Sequence, residues 1–352
     1  MSPEQRRVAD FTERDLIGRI TGLLPPPPSW MIVGIGDDAA VVEPERNRLE
    51  VLTVDALVEG IHFDRAFTPP DAIGHRALAA NLSDLAAMGA SPRLALLSLA
   101  LPLDLPIEDF DGIARGIAAL AARHRVQVAG GNLTQSPGPL MIDITVTGSV
   151  KRRRALTRSG ARPGDEIYVS GRVGAARAGL ERLREVASHK SSVTSHSPQS
   201  EAPGLETDDL RLVTTAYLFP EPRVRIGVLL SRNRAATACM DLSDGLADAV
   251  RQVAEASQLG AIIDAGALPI DAETREWFTS RGVDPVTAAI SGGDDYELLV
   301  AVHPRQRRRL AALAGSSGAP LTRIGVFTED RSLIVRRPEG DAELPQGYGH
   351  FR

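Results

Sequence analysis

The sequence predicts a mixed α/β (α+β) protein with two domains. Its 352 residues are enough for two domains of ordinary size, and a hydrophobic content of 43% is typical of globular chains. Short apolar runs typical of strands alternate with longer segments whose apolar residues recur at helical spacing. We place the boundary so that an N-terminal domain covers residues 1–154 and a C-terminal domain covers residues 155–352.

The N-terminal domain begins with a predicted helix. Apolar residues at Leu16 and Ile20 follow a possible N-cap at Thr12, and the prolines from Pro25 onward end the helix. A second helix, over residues 69–90, has prolines at its start and a glycine stop near its end. Further apolar patterns predict strands at 49–58, 94–101 and 140–150 and a helix at 107–123. This order of elements is that of an α/β domain.

The C-terminal domain begins with a loop and strand over residues 155–171, and it continues with a helix over 222–233 and further strands. Between them, residues 187–209 contain few apolar residues and many Ser and Pro residues. Such a segment cannot bury enough apolar surface to fold by itself. We therefore predict a flexible surface insertion over 187–209, in which His189 and His196 are solvated rather than metal ligands.

Composition excludes several classes of function. The formal net charge of −5 argues against a nucleic-acid-binding protein. No apolar stretch reaches the ~20 residues needed to span a bilayer, and the N-terminus lacks the apolar core of a signal peptide. Cys239 is the only cysteine, so the chain has neither an internal disulfide nor a Cys-based zinc site. We expect a soluble cytoplasmic protein that binds neither membrane nor nucleic acid.

The lysine content excludes two common phosphate-binding motifs. Lys151 and Lys190 are the only lysines, and neither follows a glycine-rich loop. The P-loop and the protein-kinase strand both need such a lysine on the phosphates. A nucleotide bound by this chain must be neutralised in another way.

Two segments place adjacent aspartates between glycines and an apolar run. They are "GIGDDAAVV" at residues 34–42 and "SGGDDYELLV" at residues 291–300. Gly-Asp pairs are common turn formers, which explains one occurrence. Two occurrences favour a ligand site.

Two further segments share the letters LSD. In "NLSD", Asn81 and Asp84 lie three apart on one face of a predicted helix; either Ser83 caps a second short helix there, or the polar face is functional. In "DLSDGL", a strand ends at Asp241 and a helix follows, with Ser243 as its predicted N-cap and Asp244 in its first turn. A strand end that meets a helix N-terminus is also a common phosphate site.

These segments together suggest metal-dependent polyphosphate binding. Aspartates at strand ends or helix termini recur over about 200 residues, accompanied by a predicted glycine-rich loop at 129–140; they are Asp38, Asp55, Asp84, Asp241 and Asp244. Magnesium is bound by one or two carboxylates together with substrate phosphates. With no P-loop lysine, bound Mg²⁺ ions are the expected source of positive charge.

The motifs also resemble those of a known family. "GIGDDAAVV", "VDALVEGIHF", "NLSDLAAMGA", "GGNLTQSPGPL", "RALTRSGARPGD", "DLSDGL", "SGGDDYEL" and "QGYGHF" occur in the order typical of the thiamine-monophosphate kinases. The resemblance covers nearly the whole chain outside the insertion. It implies the two-domain fold of the aminoimidazole-ribonucleotide synthetase superfamily, with the N-terminal sheet pairing across a homodimer. It also implies ATP-dependent phosphorylation of thiamine monophosphate to thiamine diphosphate.

The resemblance assigns roles residue by residue. It implies that several Mg²⁺ ions are held by Asp38, Thr53, Val54, Asp55, Asp84, Asn132, Asp241 and Asp244. It implies that ATP, the co-substrate, is contacted by Gly131, Asn132, Arg158 and Ser243. It implies that thiamine monophosphate is contacted by His62, Asp294 and Tyr348. Arg158 and Asp244 would be the catalytic residues, acting by charge and positioning, with no general base.

Three positions depart from the pattern of this family. Many relatives carry Thr at Val54, Asp at Asn132 and Glu at Asp294. Val54 can still offer its backbone carbonyl, whereas Asn132 keeps an oxygen ligand but removes a charge. The alternatives to the kinase are another ATP-dependent enzyme of the superfamily, such as an aminoimidazole-ribonucleotide synthetase, and a non-catalytic nucleotide-binding relative.

Overall fold

The computed structural model describes residues 6–193 and 208–349, which form two compact units. The first unit contains the described residues of Met1–Leu85 and Ser91–Arg152, and the second contains those of Ala86–Ala90 and Arg153–Arg352. The mixed α/β class is confirmed, since both units combine helices with sheets. The functions assigned to the domains 1–154 and 155–352 remain predictions.

Unit 1 is built on a four-stranded sheet. Its helices are α1 (Glu13–Thr21), α2 (Pro70–Ala87, which ends in unit 2) and α3 (Ile107–His124), and its strands are β1 (Met31–Val33), β2 (Val41–Val42), β3 (Arg48–Val58), β4 (Ser91–Pro102), β5 (Gln127–Ser136) and β6 (Met141–Lys151). The sheet order is β3-β6-β4-β5, with β4 and β5 parallel and the other pairs antiparallel. Strands β1 and β2 form a separate antiparallel hairpin.

The two faces of this sheet differ in burial. One face carries Ile144, Val146 and Leu97, which are buried in the core with the apolar residues of α2 and α3. The opposite face leaves Leu52 and Val54 more than half exposed. Successive strand residues point to opposite faces, so this alternation fixes the face on which each site residue lies.

Unit 2 is built on a seven-stranded sheet. Its helices are α4 (Ala175–Val193), α5 (Asp208–Leu218), α6 (Val224–Asn233), α7 (Leu246–Ser257), α8 (Ala272–Thr279), α9 (Pro285–Ser291) and α10 (Arg307–Ser317), and its strands are β7 (Glu166–Ser170), β8 (Ala238–Asp241), β9 (Gly260–Asp264), β10 (Leu298–Val302), β11 (Leu321–Thr328), β12 (Leu333–Arg336) and β13 (Ala342–Glu343). The sheet order is β13-β12-β9-β11-β7-β10-β8. Residues of α7, such as Val250 and Val253, pack with Ile263 and Phe327 in its core.

One predicted helix cap is confirmed and another is not. Thr12 caps α1, since its side chain accepts a hydrogen bond from the backbone N–H of Asp15. The helix α2 runs unbroken through Ser83, which is buried, so the alternative in which Ser83 caps a second short helix is wrong. Within residues 6–193 and 208–349, no helix is both long and apolar enough to cross a membrane.

Two element predictions are wrong, and one is partly wrong. Residues 129–136 belong to strand β5 rather than to a glycine-rich loop, because they pair with β4. The helix α7 begins at Leu246 with Gly245 as its N-cap, so Ser243 is not the cap. The predicted insertion at 187–209 is helical at its start, where α4 continues to Val193, and at its end, where α5 begins at Asp208. The rest of it, residues 194–207 including His196, lies outside the described residues.

Candidate active site

In unit 1, one strand and one helix bring three of the predicted site residues together. Thr53 and Asp55 lie on the face of β3 that packs toward α2, and Asp84 lies on α2. The Thr53 hydroxyl donates a short hydrogen bond to Asp84 Oδ2. Burial raises the pKa of Asp55 to about 7, and the nearby charge of Asp84, a hydrogen bond with Asp84 and the charge of Asp143 act in the same direction. Asp55 and Asp84 are therefore two mutually repelling carboxyl groups at one partly buried place.

This donor set fits a magnesium ion. Two carboxyl groups and one hydroxyl supply hard oxygen ligands, and Mg²⁺ takes its remaining ligands from water and substrate phosphates. A bound cation would also remove the repulsion that raises the pKa of Asp55. Among the residues that the structure describes, no three His, Cys, Asp or Glu side chains lie close enough to hold a metal ion alone. Thr53, Asp55 and Asp84 would therefore supply only part of a magnesium coordination shell, with water and substrate phosphates completing it.

Asp38 lies in the exposed connection between β1 and β2. Its backbone N–H donates to Asp37 Oδ1 at 2.9 Å, so the Asp37 carboxylate shapes the turn. Within the described ranges, no hydrogen bond or ion pair involves the Asp38 carboxylate. Of the two adjacent aspartates, Asp38 is therefore the one available to an incoming cation.

Val54 and Asn132 lie on the other face of the sheet. Val54 points away from Thr53 and Asp55 by strand alternation, so only its backbone could bind a metal on their side. Asn132 is paired with Ser98, which is paired with Asp143, and these side chains share the exposed face. The structure does not bring Asn132 together with the Asp55–Asp84 pair within unit 1.

Gly131 explains why glycines occur inside strand β5. A Cβ atom at Gly131 would lie 1.9 Å from the carbonyl oxygen of Leu97 on β4. Any larger residue would push the two parallel strands apart. The glycine sequence that predicts a loop is therefore needed for close packing of two strands, and it leaves Gly131 exposed at the surface.

His62 lies in the turn after β3. The backbone N–H of Val58 donates to the ring Nδ1 of His62 at 3.1 Å, and the backbone N–H of His62 donates to the carbonyl oxygen of Val58 at 2.9 Å. An Nδ1 that accepts a hydrogen bond places the proton of the neutral ring on Nε2. His62 can therefore present a fixed N–H donor to a ligand.

In unit 2, backbone hydrogen bonds join three separate motifs. Asp241 ends β8 and is buried. The N–H of Asp294 donates to Ser243 O at 2.8 Å, and the N–H of Tyr348 donates to Asp244 O at 3.2 Å. The DLSDGL and SGGDDYEL segments and residues 346–349, far apart in sequence, are thus held side by side.

Gly245 makes this arrangement possible. It has a φ of +95°, and a Cβ there would lie 2.4 Å from the carbonyl oxygen of Gly292. Only glycine allows the chain to turn into α7 this close to the second GDD segment. Ser243 and Asp244 consequently remain in the turn before the helix, where their side chains are partly exposed.

The second pair of aspartates divides its roles as the first does. The Asp295 carboxylate accepts hydrogen bonds from the N–H groups of Gly174 at 2.8 Å and Ala176 at 3.3 Å, at the start of α4. Burial raises its pKa well above the ordinary value, although these two bonds act in the opposite direction. Asp294 has a left-handed φ of +68° and remains partly exposed. Asp295 therefore fixes the turn, whereas Asp294 keeps a partly exposed carboxylate that accepts from the Tyr296 hydroxyl at 3.3 Å.

Arg158 is exposed and anchored to α7. Its Nη1 donates to Gln252 Oε1 at 2.5 Å, and Gln252 Nε2 donates to Asp248 Oδ2 at 2.5 Å. The guanidinium is therefore held in place while its other N–H groups stay available. Such a group can bind a phosphate through two parallel hydrogen bonds.

The sequence interpretation missed a buried ion pair behind these motifs. Arg223 donates to the carboxylate of Glu297 through Nε at 2.6 Å and also through Nη2, and Ser170 Oγ donates to the same carboxylate at 2.5 Å. The available signal was Glu297 itself, a charged residue directly before the apolar run of β10. Its main-chain oxygen accepts from the N–H of Leu242, next to Ser243.

Comparisons with known proteins identify the family of this chain. The model of the AIR synthase related protein N-terminal domain matches residues 36–150, and that of the C-terminal domain matches residues 162–337. The thiamine-monophosphate kinase of Synechococcus elongatus is 37% identical over 323 residues, covering 90% of this chain and 91% of the relative. That of Escherichia coli is 37% identical over 325 residues, covering 91% and 92%. The chain belongs to the thiamine-monophosphate kinase family.

Solved structures of the family superpose on this chain. The thiamine-monophosphate kinase of Stenotrophomonas maltophilia gives a TM-score of 0.78 at 36% identity, covering 94% of this chain and 97% of that one. A structure described as AaThiL complexed with AMPPCP and TMP gives a TM-score of 0.73 at 29% identity, covering 99% and 100%. The hydrogenase maturation protein HypE of E. coli, at 20% identity and a TM-score of 0.74, shares the fold.

Proposed function

We propose that this protein transfers the γ-phosphoryl group of ATP to thiamine monophosphate and so forms thiamine diphosphate. It is then a phosphotransferase with a phosphate group as acceptor. The observation that carries the proposal is the Asp55–Asp84 carboxyl pair, held by Thr53 in a chain of the thiamine-monophosphate kinase family.

The reaction needs no general base. The attacking atom is a phosphate oxygen of thiamine monophosphate, and a phosphate monoester has its second pKa near 6. That oxygen is already ionised at neutral pH. The protein must instead hold two anions in line and offset their repulsion.

Magnesium, when bound, would supply the positive charge that offsets this repulsion. The residues proposed to hold it are those of the sequence prediction: Asp38, Thr53, Val54 through its backbone, Asp55, Asp84, Asn132, Asp241 and Asp244. Asn132, on the other face of the sheet, would bind a different ion from the Asp55–Asp84 pair. More than one ion is therefore needed.

The remaining residues position the substrates. Arg158 would donate to the ATP phosphates while Gln252 holds its guanidinium. Gly131 and Ser243 would contact ATP through groups that are exposed or partly exposed. The thiamine monophosphate would be contacted by His62, which offers its Nε2–H, and by Asp294 and Tyr348.

The exposed sheet face of unit 1 supports a homodimer. Leu52 is 68% exposed and Val54 58% exposed, and Leu96 and Met141 continue the same apolar face. Apolar surface of this kind marks an interaction site on a folded protein. We propose a second copy of the chain as the partner, in the cytoplasm, where a lone buried cysteine stays reduced.

One experiment separates the kinase from its alternatives. ATP turnover and thiamine diphosphate are measured with Mg²⁺, with and without thiamine monophosphate. The kinase gives one thiamine diphosphate for each ATP consumed. ATP turnover without thiamine diphosphate would indicate another enzyme of the superfamily, and ATP binding without turnover would indicate a non-catalytic protein.

A further inference from the structure

A cleft outside the proposed active site is lined by four arginines. It lies at the base of the β1–β2 hairpin, against the start of β3 and β4 and the end of α3, and has a volume of about 540 Å³. Its charged lining residues are Arg46, Arg48, Arg93, Arg125, Glu43 and Glu45. We name it the arginine cleft. Small-molecule sites in proteins occupy roughly 300–1,000 Å³, so a compact ligand fits.

The arginine cleft is separate from the metal-binding residues. Arg48 and Asp55 are seven residues apart on β3, which corresponds to about 23 Å at the rise of a strand. Trp30 and Glu43 flank the hairpin at the end opposite to the connection that carries Asp38. Within unit 1, the arginine cleft therefore lies at the opposite end of β3 from Asp55 and at the opposite end of the hairpin from Asp38.

Two of the four guanidinium groups are held in fixed positions. Arg48 donates to Ser149 through Nε at 2.7 Å and through Nη2 at 2.8 Å, and it lies 3.0 Å from Glu45. Arg93 stacks on the ring of Trp30, 4.3 Å from its centroid, and donates to Glu43 O. Within the described residues, the Nη1 group of each arginine has no hydrogen-bond acceptor. Arg48 and Arg93 can therefore each donate to a ligand at little cost in conformational entropy, because their side chains are already fixed.

The other two guanidinium groups are uncompensated. Among the residues that the structure describes, neither Arg46 nor Arg125 makes an ion pair or a side-chain hydrogen bond. Four arginines against two glutamates leave a local charge of +2, in a chain whose formal charge is −5. Concentrated positive charge in a cleft attracts anions, and guanidinium forks match phosphate oxygens best.

We propose that the arginine cleft binds a small molecule through a phosphate or pyrophosphate group, without a metal ion. Arg48 and Arg93 form the fixed part of the site. Arg46 and Arg125 close on the anion from the rim. The proposal stands independently of the kinase activity, because it uses none of the residues of that site.

Calorimetry on the full chain tests the proposal, with inorganic pyrophosphate as the probe and EDTA present. The absence of metal removes phosphate binding at the aspartate site, where carboxylates repel an anion. We expect saturable binding that weakens steeply with salt, because phosphate contacts depend on charge. Citrate, an anion of similar charge with carboxylates instead of phosphates, should bind at least tenfold more weakly.

A matched pair of double variants locates the binding. Arg46→Gln with Arg125→Asn removes the two rim charges, and Asn tolerates the left-handed φ of +57° at position 125. Arg14→Gln with Arg115→Gln removes the same charge from exposed positions of α1 and α3 outside the cleft. The first pair should weaken pyrophosphate at least tenfold, and the second less than twofold, with the thermal stability of both unchanged.

Three results would overturn the proposal. One is the absence of pyrophosphate binding up to about 10 mM, because a dissociation constant above that concentration would be too weak for a specific site. Another is equal weakening by both double variants, which would indicate a general effect of net charge. The third is equal affinity for citrate and pyrophosphate. Absence of kinase activity in the wild-type chain would reject the proposed function and leave this inference standing.

Discussion

The buried pair of Glu297 and Arg223 offers the sharpest test of how unit 2 holds its motifs. Their side chains are 6% and 19% exposed. The Glu297 carboxylate also accepts from Ser170 Oγ, and more weakly from the N–H of Arg172 at 3.4 Å. Its main chain accepts from Leu242, directly before Ser243. The ion pair therefore anchors the start of β10, the strand that directly follows the second GDD segment.

Replacing Glu297 by Gln should destabilise unit 2 by about 2–4 kcal/mol. Removing one partner of a buried ion pair costs about 3–5 kcal/mol, because the remaining charge stays buried. The Gln oxygen can still accept one hydrogen bond, which offsets about 1 kcal/mol of that loss. Domains are stable by about 5–15 kcal/mol, so Glu297→Gln should fold and be measurable.

Urea unfolding can follow unit 2 alone. Trp30 in unit 1 and Trp277 in unit 2 are the two tryptophans of the chain. In a Trp30→Phe background, fluorescence reports on Trp277, which is buried in unit 2. The control is the double variant Glu297→Leu with Arg223→Met, which removes both charges. Its free energy of unfolding should lie less than about 1 kcal/mol below that of the Trp30→Phe background.

This reasoning is refuted if Glu297→Gln loses less than about 1 kcal/mol, because that is the worth of an ordinary hydrogen bond. It is also refuted if the double variant is as unstable as the single one. In that case packing, and not the unpaired Arg223 charge, would determine the stability.

Three further predictions concern the metal residues and acid stability. Asp84→Asn should abolish thiamine diphosphate formation at limiting Mg²⁺ with unchanged circular dichroism, because the amide oxygen can still accept from Thr53 but carries no charge. Asn132→Asp should lower the Mg²⁺ concentration for half-maximal rate, since a carboxylate in place of an amide is worth about 1–3 kcal/mol at a charged group. Burial, with the charges of Arg123 and His75, lowers the pKa of His124 from 6.5 to about 4. As the pH falls, the His124 ring is protonated in the unfolded chain before it is protonated in the folded chain. The contribution of His124 to the free energy of unfolding is therefore complete above pH 6.5 and is lost as the pH falls toward 4. His124→Gln should reduce the loss of unfolding free energy between pH 7 and pH 5 by about 1 kcal/mol, because solvent screening weakens the effect at a partly exposed side chain.

Each of these three has a clear contrary result. Near-normal turnover of Asp84→Asn at limiting Mg²⁺ would remove Asp84 from the metal site. An unmoved Mg²⁺ midpoint for Asn132→Asp would leave that residue only a role in the strand. Parallel stability curves for His124→Gln and the wild type between pH 7 and pH 5 would show that His124 does not titrate with folding.

The sequence predicted elements well where local patterns and packing agree. The helices α2 and α3 and the strands β3 and β6 lie within a few residues of their predicted bounds. The predictions of a loop at 129–140 and of a helix cap at Ser243 failed, because a glycine in the local sequence can reflect a turn, a close approach of two strands or a helix cap. Gly131 lies inside a strand because Leu97 approaches it, and Gly245 caps a helix because Gly292 approaches it. Neither neighbour could be known from the local sequence.

The sequence named candidate site residues but did not indicate how they are arranged, and their roles remain predictions. Most of the candidate aspartates stood out because the GDD and LSD motifs each occur twice. The face on which each lies follows from strand register, which separates Asn132 from Asp55. The pair of Glu297 and Arg223 connects residues 74 apart in the chain. Glu297 beside an apolar run indicates a buried charge, but a single sequence does not identify its partner.

The two pairs of adjacent aspartates share one physical logic. In each pair, one carboxylate accepts backbone N–H groups and so fixes the turn: Asp37 accepts from its neighbour, and Asp295 accepts from the start of α4. The other aspartate, Asp38 or Asp294, then extends from a turn whose shape is already set. Dividing the two tasks between neighbours lets one carboxylate fix the turn and leaves the other exposed or partly exposed for the proposed ligand. The member that fixes the turn is first in one pair and second in the other, so the division does not depend on the order of the two aspartates.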